Sequence, residues 1–287
     1  MNHNLHPLEQ LEILNRQIRG LKLSNPIIVV GGQAVAYWIW KYQQMFKHNV
    51  LSDKRLFSYD IDYTCSVEDI PLLSNSWNIP YYLNTNGQPP SVGILLTKDK
   101  NGKIKQYQGR YFYNESIKDA NIIDIIYTPA GFDKKYLYNN IDILCEPYFD
   151  NCNSIFILNP IACLRARLFN IYGNVKRSSI NLEIERIRSL NVTILCFLVN
   201  KISTNDSKLV FKYFNLFKET ILNSQVAKID AKYDLYLRSV LNYFIRHKVS
   251  FINKNNEDFF NKFLPYSLNS YDKLRSHKIN VLSKQNK

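Results

Sequence analysis

The apolar positions of this chain change period several times, and each change marks an element. In PLEQLEILNRQIRG, residues Leu8, Leu11, Leu14 and Ile18 recur at helical spacing, which predicts an opening amphipathic helix. The run Pro26-Ile27-Ile28-Val29-Val30 is continuously apolar and ends in Gly31-Gly32, as a short buried strand would. From Gly32 onward, AVAYWIWKYQQMF returns to a helical pattern. SYDIDYTC then alternates, with Asp60 and Asp62 on one face of a strand and Ile61 and Tyr63 on the other. VEDIPLLSN predicts a short helix opened by the acidic pair Glu68-Asp69. VGILLTK and KIKQYQ flank Asp99-Lys100-Asn101-Gly102, a hairpin signal, and NIIDIIYT is a β-rich run with one carboxylate, Asp124, at its centre.

After Asn159 the pattern is helical throughout. PIACLRARLFNIYG, INLEIERIRSLNVTILCFLVNKI, SKLVFKYFNLFKETIL and KYDLYLRSVLNYFIRHK each predict one helix, and the tail RSHKINVLSKQNK reads as frayed. The expected fold class is α/β in the α+β sense. A mixed sheet with flanking helices occupies residues 1–158, and a helical domain occupies 159–287. The aromatic cluster Tyr37, Trp38, Trp40 and Tyr42 on the helix after the glycines reads as packing rather than base stacking, because a helix behind a strand must bury one face.

Composition narrows the function classes. With 287 residues, 46% hydrophobic and 21% charged, the chain can bury a sizeable core and is not a disordered sequence. The N-terminal residues lack a basic segment leading into an apolar one, and no run is long enough to span a bilayer, so a soluble cytoplasmic protein without a membrane partner is expected. The five cysteines, Cys65, Cys145, Cys152, Cys163 and Cys196, include no CxxC pair, which argues against a disulfide framework or a structural zinc. Net charge is +13, unevenly spread: residues 1–150 carry 15 basic and 15 acidic residues, residues 151–287 carry 22 and 9. The whole excess lies in the helical half, which points to a polyanion partner such as nucleic acid.

Two carboxylates at i and i+2 on a strand project from one face and can approach the same divalent cations. Magnesium, with manganese as a substitute, suits carboxylate oxygens and substrate phosphates. A third carboxylate from a neighbouring strand, for which Asp124 is the candidate, would complete a two-metal site for phosphoryl or nucleotidyl transfer. Gly31-Gly32 between a strand and a helix lets backbone N–H groups approach phosphates at a helix N-terminus. Neither a Walker A motif nor GxGxxG is present.

Gly31-Gly32, then Asp60-Ile61-Asp62, then Asp124 in this order resembles the DNA polymerase beta-type nucleotidyltransferase superfamily. VVGGQAVAYW, SYDIDYTCSVEDI and NPIACLRARLFNIYG are similar to the AbiEii-type bacterial nucleotidyltransferase toxins, over roughly residues 26–190. The resemblance implies that Asp60 and Asp62 bind the metals and that Asp124 also serves the metal site and activates the attacking hydroxyl. It implies phosphate contacts from Gly31, Gly32 and Gln33, and a nucleotide contact from Arg165 or Arg167. It further implies a nucleoside triphosphate substrate and a toxin or phage-defence role with an antitoxin protein as partner, while the basic helical half points to an RNA acceptor such as tRNA. A protein or small-molecule hydroxyl is the rival acceptor, and a nucleic-acid-binding relative with a silent site is the rival to an enzyme. Gln33 departs from the Ser or Thr of many relatives, and NLEIER supplies Glu183 and Glu185 where an Asp motif often stands.

Overall fold

A computed structural model describes residues 11, 14–18, 20–42, 61–83, 91–96, 122–143, 156–173, 180–203, 207–253 and 256–285. Asp60, the hairpin at 99–102 and the stretch 43–57 lie outside them. The fold is a mixed α/β arrangement with a seven-stranded sheet, flanking helices and a helical C-terminal region. The chain divides into two compact units: Met1–Tyr37 with Lys54–Asn159, and Trp38–Asp53 with Pro160–Lys287.

In the first unit, β1 (Ile28–Val30) runs directly into α1 (Gly31–Tyr42), whose residues from Trp38 on belong to the second unit. There follow β2 (Ile61–Thr64), α2 (Ile70–Trp77), β3 (Tyr81–Leu83), β4 (Ser91–Leu96), β5 (Ile122–Ile126), α3 (Lys134–Asn139), β6 (Ile141–Ile143) and β7 (Phe156–Leu158). The sheet order is β3-β4-β5-β2-β1-β7-β6. β2 pairs antiparallel with β1 and parallel with β5, so it sits in the sheet's interior. Such a central strand must be apolar on its packed face. Ile61 and Tyr63 are buried there, as are Ile123 and Ile125 of β5. Each such side chain contributes roughly 1.5–3 kcal/mol by leaving water. Tyr63 stacks on Trp77 of α2 at 5.8 Å and donates its hydroxyl to Asn15 Oδ1 at 2.8 Å. Trp77 Nε1 donates to the Leu14 carbonyl at 2.8 Å, so the opening helical segment and α2 cover the same face.

Glu68 and Asp69 stand, as expected, in the first turn of a helical segment that continues into α2. Val67–Asp69 form a 3-10 turn, and the Asp69 side chain makes no cap bond to α2. The buried Asp69 carboxylate instead accepts from the Ser24 amide at 2.9 and 3.1 Å and from the Asn25 amide at 3.4 Å. Those bonds tie the loop before β1 to the turn after β2. A hydrogen bond from an amide to a charged acceptor is worth about 1.5–3 kcal/mol.

The second unit contains α4 (Pro160–Gly173), α5 (Ile180–Ser203), α6 (Ser207–Ile221), α7 (Ser224–Tyr233), α8 (Arg238–Arg246) and α9 (Leu264–Gln285). Its core is aromatic. Trp38 from the last turns of α1 meets Phe197 edge-on at 5.6 Å, and Phe214 meets Phe244 at 5.0 Å. Tyr37, Trp38 and Tyr42 are buried, so this cluster is packing.

Two helical expectations are corrected. KYDLYLRSVLNYFIRHK is not one helix, because α7 ends at Tyr233 and α8 starts at Arg238. Asp234 and Tyr236 between them take φ of 48° and 59°. The break is held by Asp230, whose carboxylate accepts from the Leu235 amide at 2.8 Å, from Arg275 Nε at 2.9 Å and from the Tyr271 hydroxyl. The tail expected to fray continues α9 to Gln285. Tyr271, buried on that helix, and Arg275 anchor its middle.

Candidate active site

Asp62 and Asp124 are register partners on the adjacent parallel strands β2 and β5. Side chains of paired residues project to the same side, and neighbouring strands lie about 4.8 Å apart. The two carboxylates therefore stand side by side on the face opposite Tyr63, Ile61, Ile123 and Ile125. Both are half-buried. Asp60 belongs to the expected trio but falls outside the described residues, and among those no group of three His, Cys, Asp or Glu side chains forms a metal cluster.

Asp62 is also the register partner of Val30, the last residue before Gly31. Gly31 adopts φ of +61°, the left-handed region that L side chains enter at a cost. A Cβ there would overlap the Asp62 carboxylate and come within 2.8 Å of Asp62 Cβ. Glycine is thus required twice, by backbone and by room. The next amide, of Gly32, donates to Asp62 Oδ2 at 3.3 Å. The N-terminus of α1 and the β2 carboxylate therefore share one small space, and the helix N-terminus favours negative charge there.

Asp124 accepts a hydrogen bond from the Ser91 hydroxyl at 2.6 Å. Burial pushes the Asp124 carboxyl above the usual carboxylate range, and the Ser91 bond offsets that only in part. Ser91 was not among the sequence candidates. Its only sequence signal is a hydroxyl at the start of a β-rich run.

Gln33 is fully buried in the first turn of α1. On the second unit, Arg165 lies over the Phe169 ring at 4.9 Å. Arg167 donates to Glu183 at 3.2 and 3.3 Å, and Arg186 donates to the same carboxylate at 2.6 Å. Glu183 is 6% exposed, so it is a buried acid shared by two guanidinium groups rather than a solvent-facing one.

The donor set on the first unit suits a hard divalent cation. Carboxylate and hydroxyl oxygens, the ligands such cations prefer, dominate it. The described cysteines do not join it: burial pushes the Cys65 and Cys163 thiols up to about 12 and Cys196 to about 11. No described helix is long and apolar enough to cross a membrane.

No family model matches the chain, and no curated protein matches it. One solved structure, that of a candidate nucleotidyltransferase from H. pylori, aligns with 99% of this chain and 98% of its own. The identity is 11% and the TM-score 0.38. A likeness at that score fixes neither the ancestry nor the activity of this chain.

Proposed function

We propose that this chain is a metal-dependent nucleotidyltransferase that moves a nucleotide from a nucleoside triphosphate to a hydroxyl. One observation carries the reading: Asp62 and Asp124 are register partners on parallel strands, beside a glycine whose backbone and missing Cβ make room for the Asp62 carboxylate. Asp60, Asp62 and Asp124 would hold magnesium or manganese. Bound metal would neutralise charge on the transferred phosphoryl group and acidify the attacking hydroxyl. Asp124, whose proton affinity is raised by burial, is suited to accept the acceptor hydroxyl's proton. Gly31 and Gly32 would present backbone amides to the phosphates. Gln33 would do so through its amide, since its side chain is buried. Arg165 or Arg167 is the nucleotide contact that the family resemblance implies.

The acceptor we propose is an RNA end such as that of tRNA, because the excess of positive charge falls after residue 150. A toxin or phage-defence setting, with an antitoxin as partner, follows from the family resemblance alone. Incubating the protein with α-phosphate-labelled nucleoside triphosphates, total RNA and lysate protein tests the reading. Label should enter RNA with magnesium, and should vanish with a chelator or in Asp62→Asn. Label in protein would move the acceptor and keep the chemistry. No label from any of the four triphosphates would remove the enzyme reading.

A further inference from the structure

Ser91 reaches Asp124 only because β4 is irregular. Ile94 is the register partner of Asp124 on the neighbouring antiparallel strand. Ser91 lies three residues earlier, an odd number, so in a regular strand its side chain would point to the opposite face. The ladder instead shifts between Ser91 and Gly93: Gly93 faces Ile125 and Ser91 faces Ile126, with Val92 as the extra residue. Ile126 is two residues from Asp124 and shares its face. The bulge thus returns Ser91 to the side of the sheet that holds the carboxylates, the kind of re-aiming that bulges perform near functional sites.

Gly93, next to the irregularity, sits in a tight place. A Cβ there would stand 2.8 Å from Ile70 Cδ1 and 3.3 Å from the Tyr82 carbonyl oxygen, so the Ile70 side chain and β3 would have to give way to anything larger than glycine. The segment Ser-Val-Gly therefore reads as one device. Glycine allows close packing, valine is the inserted residue, and serine is turned onto the acid at 2.6 Å.

We propose that Ser91 is a positioning residue for the divalent cation: its hydroxyl fixes Asp124 through Oδ1 and leaves Oδ2 to the metal. The inference rests on the metal-binding reading of Asp62 and Asp124. A purely structural serine would satisfy a buried carboxylate and affect stability alone, whereas a positioning serine must affect metal affinity. Partners of metal-binding carboxylates typically change affinity by about 10–100-fold when removed.

The test is a Mn²⁺ titration of the full chain, read by the loss of the free-ion electron paramagnetic resonance signal, with melting temperature measured on the same samples. Wild type should bind Mn²⁺ and Asp62→Asn should not. Ser91→Ala should bind about 10-fold more weakly with a nearly unchanged metal-free melting temperature. Ser91→Thr, which keeps the hydroxyl, should return to within a few-fold of wild type. Wild-type affinity in Ser91→Ala, with Asp62→Asn still inactive in binding, would overturn the role of Ser91 and leave the metal site standing. Equal weakening in Ser91→Ala and Ser91→Thr would mark a packing defect and overturn it too. Absence of Mn²⁺ binding in wild type would remove the metal reading itself, and this inference with it.

Discussion

The buried acids of the helical unit and the two half-buried acids on the sheet's polar face are handled in different ways. In the helical unit, Glu183 receives Arg167 and Arg186, and Asp230 receives Arg275 together with the Tyr271 hydroxyl and the Leu235 amide. Each acid there is matched to cations and donors already in the fold. In the sheet unit, Asp62 and Asp124 stand beside one another, and the Gly32 amide and Ser91 hydroxyl that donate to them are neutral. Neutral donors such as these ease burial without supplying charge. The first arrangement holds helices together, whereas the second, on the reading proposed above, is where a cation would arrive with its substrate.

The largest effect should come from breaking the matched kind. Asp230→Ala would leave Arg275, Tyr271 and the Leu235 amide without their shared acceptor, and is expected to cost about 3–5 kcal/mol in urea denaturation. A loss below about 1 kcal/mol would mean the cluster is not a structural lock. Next comes Gly31→Ala. Left-handed backbone alone costs about 1–2 kcal/mol for a residue with a Cβ, and the overlap with the Asp62 carboxylate adds to it. The variant should be measurably destabilised and should not bind Mn²⁺. Full binding would show that the space beside Asp62 is not confined.

The smallest effect has the opposite sign. Burial raises the Asp124 pKa above its unfolded value, so its contribution to stability is fullest below the ordinary carboxylate range. That contribution is lost as pH rises through the raised value. Asp124→Asn, which stays neutral, should therefore melt at or above wild type in chelator at pH 7, with the gap closing toward about pH 4. A melting temperature well below wild type at neutral pH would place Asp124 among the matched, structural acids instead.

Much of this contrast was legible in the chain. The apolar run into Gly31-Gly32 gave β1 and α1, the alternation of Ile61, Asp62 and Tyr63 gave a strand with one polar face, and the apolar neighbours of Asp124 gave β5. All three are local periodicities, which sequence reports directly. What escaped depends on distant partners or on broken periodicity. Ser91 was invisible because strand alternation puts it on the wrong face until Val92 is inserted. The end of α7 was invisible because Asp230 is secured by Tyr271 and Arg275, 41 and 45 residues away. The Arg167–Glu183 pair likewise joins two helices whose contact no local pattern announces.

The claim that the sheet unit's acids await a cation with its nucleotide is tested most directly by isothermal calorimetry. Nucleoside triphosphate is titrated into wild type and Asp62→Asn, each with and without magnesium. Wild type should bind the nucleotide far more tightly with magnesium than without, and the coupling should disappear in Asp62→Asn while the variant keeps its fold. Nucleotide binding that is indifferent to magnesium, or coupling that survives Asp62→Asn, would contradict the account.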